Sequence, residues 1–198
     1  MIDIKKINKE GPYLILKEKY LNALDAGQEN IEAISISTYN PDKDEVDSRF
    51  VNLKIIKNED FIFFTNYNSP KSLAFKNKNQ VSVLIFWPSI NTQIRIKAFI
   101  KKTSTSFNNE YFKSRSTNKN ALAISSVQSK VISSYDEVIS NFEKAKKSHD
   151  LTECPDYWGG FSFRPFELEF WEGKKHRLNK RDLYVMKNGA WNHSILQP

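Results

Sequence analysis

From Gln93 to Ile100 the chain alternates without a break: Ile94, Ile96, Ala98 and Ile100 fall on one side, Gln93, Arg95 and Lys97 on the other. Successive side chains of a strand point to opposite faces, so this pattern specifies a strand with one dry face and one wet face. Shorter versions of the signal precede it. Ile34-Ser35-Ile36-Ser37 alternates, and the stretch from Arg49 to Ile56 places Val51, Leu53 and Ile55 on one face. Turn chemistry at Asn40-Pro41-Asp42 separates the two. With further β-type runs at Asp60 to Thr65 and Val81 to Trp87, the first half reads as a meander of strands.

Helices interrupt or flank this sheet. Leu14, Leu16, Tyr20, Leu21 and Leu24 recur at helical spacing before Gly27, predicting an amphipathic helix over about 12–26 with a glycine at its end. Ser69 is placed to cap a short helix running to about Lys76, with Pro70 in its first turn, and Ser134 with Glu137 forms a capping box ahead of Val138, Phe142 and Ala145. Beyond Asp150 the pattern returns to strands, Gly160 to Trp171 and Leu183 to Lys187, with Asn188-Gly189 as a hairpin turn into Ala190-Trp191. The expectation is one domain over 1–198, mainly β with peripheral helices, closed by a distinctive block at about 157–198.

A chain of 198 residues with 39% hydrophobic and 27% charged residues can bury a full core. Its formal charge of +7 invites anionic partners. The lysines are spread beside acids, as in Lys17-Glu18-Lys19 and Glu143-Lys144-Ala145-Lys146-Lys147, so no basic stripe tracks a nucleic acid or a membrane, and phosphorylated small molecules fit better. The one cysteine, Cys154, can form no intramolecular disulfide, which fits a reducing compartment. The amino-terminal residues lack the apolar core of a signal peptide and no apolar run is long enough to span a bilayer, so a cytoplasmic protein is expected. His149, His176 and His193 stand too far apart for zinc-site spacing, and no metal is expected.

The chemistry-bearing residues gather near the end. Trp158-Gly159-Gly160-Phe161 leads into Glu169-Phe170-Trp171-Glu172-Gly173 and then His176-Arg177-Leu178-Asn179-Lys180-Arg181. Indoles can cover a flat ring and guanidinium groups can grip phosphate or stack on a planar ligand, which is equipment for a flat, anionic cofactor. Elsewhere, Tyr111 and Arg115 stand four residues apart, on one face of a helix, where they can share a phosphate. The same spacing also suits a core tyrosine beside an exposed arginine. The helix start at Ser69 can offer backbone N–H groups to an anion, with Lys71 adding charge.

In order, Arg49-Phe50-Val51-Asn52-Leu53-Lys54, Phe64-Thr65-Asn66, Ser69-Pro70-Lys71, Gln93, Tyr111-Phe112-Lys113-Ser114-Arg115, Gln128-Ser129, the tryptophan-arginine block and Leu196-Gln197-Pro198 resemble the pyridoxine/pyridoxamine 5′-phosphate oxidase family. The resemblance spans about Ile34 to Pro198 and implies an FMN-binding split β-barrel, a homodimer whose sites are built from both subunits, and oxygen as electron acceptor. It implies that Arg49 and Lys71, helped by Ser129, hold the FMN phosphate, and that Val51, Lys54, Phe64, Thr65, Gln93, Gln128, Trp171 and Arg181 complete the cofactor site. It further implies that Lys54, Tyr111 and Arg115 hold the phosphate of the substrate, while Arg177 lies over its ring and Asn179 joins it as catalytic machinery. Four positions depart from the family pattern. Pro70 and Ile195 stand where arginines are usual, Asn179 replaces a histidine and Lys119 replaces a serine. A related oxidase of another reduced ring, of dihydrophenazine type, and a low-turnover flavin or pyridoxal phosphate binder are the competing readings. Arg49 and Lys54 pose a geometric problem, because an odd separation on a regular strand aims them at opposite faces; a bulge, a twist or the partner subunit must resolve it.

Overall fold

The alternating segments are strands in the computed structural model, which describes residues 1–198. The strands are β1 (Asp3–Ile7), β2 (Ala33–Asn40), β3 (Glu45–Asn58), β4 (Asp60–Asn66), β5 (Gln80–Trp87), β6 (Thr92–Lys102), β7 (Trp158–Glu172), β8 (Lys180–Lys187) and β9 (Ala190–Ile195). The helices are α1 (Pro12–Asp25), α2 (Pro70–Asn77), α3 (Thr105–Ser114), α4 (Thr117–Ser125) and α5 (Tyr135–Ser148). Strand β3 pairs with β2 and β4, β4 with β7, β7 with β6, β6 with β5, and β5 with β2, so these strands close a ring. Long β7 changes partner along its length: Trp158 to Phe163 lie against β4, and Glu167 to Glu172 against β8. There the ring forks, which makes the fold the expected split β-barrel.

The alternation of β6 holds in the packed structure. Ile94, Ile96, Ala98 and Ile100 are buried, while Arg95, Lys97 and Phe99 are exposed. Buried isoleucines of this kind each contribute about 1.5–3 kcal/mol relative to an exposed position. The barrel interior adds Ile34, Ile36, Leu53, Phe61, Phe63, Phe163 and Phe170, with Phe61 stacked on Phe163 at 5.2 Å between centroids.

Helix α1 packs on the core by a face that keeps Leu16, Tyr20 and Leu24 of the expected set. Tyr13, Leu16, Tyr20 and Ala23 are buried, whereas Leu14 and Leu21 are exposed. Tyr13 packs edge-on against Trp191 at 5.9 Å, and the Tyr20 hydroxyl accepts the Ile2 N–H at 3.0 Å, so tertiary contacts choose the aromatic side of the helix. Gly27 ends it as expected: at φ 69° its N–H bonds the Leu24 carbonyl while Gln28 reaches Ala23, a Schellman ending.

Strand β3 departs from the regular alternation. Leu53 lies opposite Phe63 and Ile55 opposite Ile62, so Lys54 has no partner on β4 and forms a bulge. The phase therefore slips, and Ile56 rather than Ile55 is buried. Ser69 also behaves differently from a capping serine. Its hydroxyl does not bond the helix N–H groups; it donates to the Asn66 carbonyl at 2.8 Å and accepts the Lys71 ammonium at 3.2 Å. At α5 the Ser134 hydroxyl does accept the Glu137 N–H, but the Glu137 carboxylate takes the Ser133 hydroxyl, leaving half a capping box. The Asn188-Gly189 turn forms as expected, with both residues at positive φ, 52° and 79°. No helix is long and apolar enough to cross a membrane.

Candidate active site

A cavity of about 840 Å³ opens between the outer end of β3, the end of β4 and the starts of α2, α4 and β7. It collects Arg49, Val51 and Lys54 from β3, Phe64 and Thr65 from β4, Lys71 from α2, Tyr111 and Arg115 around the end of α3, and Gln128 and Ser129 from the loop between α4 and α5. Strand β3 borders this space with Arg49, Phe50, Val51 and Asn52 in succession and with Lys54 at the bulge, so residues of odd and even position both reach it.

Each cation is held differently. Arg49 donates to the Ile36 carbonyl at 3.2 Å and the Thr38 hydroxyl at 2.9 Å, and pairs with Asp47. The Lys54 ammonium lies 3.3 Å from Glu32, which burial would push toward protonation but which its own backbone N–H and Lys54 hold below the usual carboxylate range. Lys71 is only 6% exposed. Burial, aided by the charge of Arg49, lowers its pKa to about 8. Its one side-chain hydrogen bond is to the Ser69 hydroxyl, and no carboxylate forms an ion pair with it, Asp47 acting only at longer range, so it carries a concealed charge. Such a group favours an anionic ligand strongly.

Aromatic rings floor the other part of the cavity. Phe64 stacks on Tyr111 at 3.6 Å and on Trp158 at 5.3 Å, nearly parallel to both, and the Arg115 guanidinium lies 4.4 Å from the centre of the Trp158 ring. Trp158 thus has its faces occupied by this chain's own groups, and it shapes the floor rather than covering a cofactor. Arg115 sits just past the end of α3 in extended backbone, not within the helix. Its Nη2 donates to the Lys119 carbonyl at 2.9 Å, while its Nη1 is buried without an acceptor. The residue nonetheless lines the cavity, where its charge favours a ligand anion. Burial also raises the Tyr111 pKa, keeping the phenol protonated as a donor. The Gln128 carbonyl is committed to the Thr65 hydroxyl at 3.0 Å, which leaves its amide NH₂ for a ligand edge.

The glycine pair earlier in β7 fixes this arrangement. A Cβ on Gly159 would stand 2.2 Å from the Tyr67 hydroxyl, and one on Gly160 would stand 2.6 Å from the Thr103 hydroxyl. Asn108 of α3 donates to the Tyr67 hydroxyl at 2.9 Å and accepts the Gly160 N–H at 2.9 Å. Only glycines allow α3 to lie this close to β7, which sets the position of Tyr111 and Arg115.

Gln93, Trp171 and Arg181 lie elsewhere, side by side across β6, β7 and β8. Arg181 is fixed by Glu169 at 2.8 Å and by the Gln197 carbonyl at 3.0 Å, and Glu169, 6% exposed, also receives Arg95 at 3.1 Å. Arg177 and Asn179 occupy the connection between β7 and β8. None of these residues lines the cavity of their own chain. Lys119, one of the departures from the family pattern, lines it too; Glu32, Asp47 and Ser116, which also do, carry no periodic or motif signal, and only position in the fold brings them there.

Residues 158–198, which carry Trp171, Arg177, Asn179 and Arg181, match the family model of the pyridoxine 5′-phosphate oxidase C-terminal dimerisation region. The chain is 35% identical to the pyridoxine/pyridoxamine 5′-phosphate oxidase of Aliarcobacter butzleri over 100% of its own length and 93% of the relative's. It is 34% identical to that of Leptospira biflexa, covering 94% and 89%. Among solved structures, PhzG from Burkholderia lata, determined with tetrahydrophenazine-1-carboxylic acid, superposes with a TM-score of 0.89 at 24% identity, covering 94% of this chain and 92% of that one. An FMN-binding protein related to pyridoxamine 5′-phosphate oxidase from Nostoc punctiforme gives 0.80 at 12% identity, covering 96% and 100%. These two likenesses concern the fold. The full-length identities establish the lineage: the chain belongs to the pyridoxine/pyridoxamine 5′-phosphate oxidase family of enzymes.

Proposed function

We propose that the chain binds FMN and oxidises pyridoxamine 5′-phosphate or pyridoxine 5′-phosphate to pyridoxal 5′-phosphate with oxygen as acceptor, as a homodimer with shared sites. The observation that carries this reading is the supply of cations in one cavity: Arg49 with Lys71, and Arg115 with Tyr111 and Lys119, with Lys54 in addition. Two such groups suit two phosphates, one on the cofactor and one on the substrate. The residues fit FMN, since Lys71 offers a concealed charge beside Arg49 and Gln128 a free amide.

Held by Arg49, Lys71 and Ser129, FMN would supply the hydride acceptor for the carbon bearing the amine or alcohol, with oxygen as the final electron acceptor. The protein orients. Arg49, Lys71 and Ser129 grip the cofactor phosphate; Lys54, Tyr111 and Arg115 grip that of the substrate. The row of Gln93, Trp171 and Arg181, with Arg177, comes from the second copy and closes over both ligands. Clamping a remote phosphate spends binding energy on alignment, so these contacts support rate as well as affinity.

The test is oxygen-dependent formation of pyridoxal 5′-phosphate by FMN-loaded protein. Pyridoxamine 5′-phosphate is converted and unphosphorylated pyridoxamine is a poor substrate. An FMN-loaded enzyme that ignores both phosphorylated vitamers and oxidises a dihydrophenazine would overturn the assignment.

A further inference from the structure

The connection 173–179 between β7 and β8 is tightly folded. His176 and Arg177, neither of them glycine, both adopt left-handed backbone, at φ 57° and 62°. Two adjacent residues in that region persist only where surrounding bonds enforce them. The bonds are present: the Arg177 N–H reaches the Lys174 carbonyl at 3.2 Å, and the Leu178 N–H reaches the Lys175 carbonyl at 3.2 Å. Gly173 is held to the Asn91 carbonyl at 3.0 Å. One side chain closes the loop end to end, as the Asn179 Oδ1 accepts the Lys174 N–H at 3.1 Å. The Arg177 side chain itself is exposed.

We propose that Asn179 is a positioning residue for Arg177, clasping the strained loop so that the guanidinium is presented ready-formed, rather than a group that touches the substrate. The inference rests on the reading that Arg177 faces the substrate ring. A clasp made by an oxygen acceptor survives in Asn179→Asp and is lost in the similarly sized Asn179→Leu.

The experiment pairs amide exchange at Lys174 with kinetics on the full-length protein. In Asn179→Leu the Lys174 amide exchanges at least roughly tenfold faster, as a bond that restrained local opening is gone. Its kcat/KM for pyridoxamine 5′-phosphate falls on the order of tenfold or more through misplacement of Arg177. Asn179→Asp keeps both values near wild type, and FMN affinity, read by flavin fluorescence, is unchanged in both variants. Adding Asn179→Leu to Arg177→Ala causes little further loss, because a positioning residue has nothing left to position. The proposal is overturned if the Lys174 amide is as slow in Asn179→Leu as in wild type. It is equally overturned if Asn179→Asp loses activity while that amide stays slow, or if the two losses add in full. An FMN-loaded wild type inactive on both phosphorylated vitamers ends the proposed function instead, whereas the exchange measurement decides the clasp by itself.

Discussion

Lys71 is the residue whose surroundings speak most directly of a ligand. Its ammonium is concealed in the cavity wall with no carboxylate paired to it, and burial brings its pKa down to about 8. Since an anion binds the protonated form, FMN affinity should weaken as pH rises through about 8, by at most roughly tenfold per pH unit for one proton. Fluorescence titration across pH 6.5 to 9.5 checks this. Lys71→Arg, which keeps its charge, should flatten the upper limb, and riboflavin, without the phosphate, should show little dependence. Lys71→Ala should cost about 1.5–3 kcal/mol of FMN affinity and much less for riboflavin. Arg115 makes a parallel case at the other group of cations. Its guanidinium lines the cavity with no carboxylate paired to it, so Arg115→Ala should erase much of the preference for phosphorylated over unphosphorylated vitamers, measured as a ratio of kcat/KM.

At the scale of elements, the site depends on how closely α3 is seated on β7. Gly159→Ala would place a methyl where the Tyr67 hydroxyl and the Asn108 amide now lie, 2.2 and 2.4 Å away. Overpacking of this kind costs about 1–3 kcal/mol, so the variant should melt several degrees lower and lose vitamer affinity along with stability. The elements were legible in the sequence to different depths. The alternation of β6 and the Asn-Gly hairpin could be read directly, because one face of the sheet is dry and the turn demands positive φ. The face of α1 could be read only in part: Leu16, Tyr20 and Leu24 pack as their spacing indicates, whereas Tyr13 and Ala23 are added by contacts with distant residues and the leucines at 14 and 21 are left outside. The odd spacing of Arg49 and Lys54 announced an irregularity in β3, but its form, a bulge at Lys54, is decided by pairing with β4. Strand β1, short and charged at the sheet edge, has no periodic signal, and it forms because it can add in parallel to β3.

For the molecule as a whole, the division of the candidate residues is the central fact. Arg49, Lys71, Tyr111 and Arg115 share one cavity, while Trp171, Arg177 and Arg181 belong to the β7–β8 region that matches a dimerisation domain model. The family motifs named both sets in the sequence; that one chain does not bring them together is a property of the three-dimensional arrangement. Sites shared across a twofold axis need both sets, each from a different copy. Subunit complementation tests this most directly. Arg115→Ala and Arg177→Ala, each with strongly reduced activity on pyridoxamine 5′-phosphate, are to be prepared separately, mixed in equal amounts and allowed to exchange, with differently tagged copies confirming that mixed dimers form. Each mixed dimer then carries one intact site and one doubly defective site, so pyridoxamine 5′-phosphate oxidase activity should return to about a quarter of the wild-type value after random twofold assembly. A mixture that contains mixed dimers yet is no more active than its two components would show that each site is built within one chain, and would contradict the account.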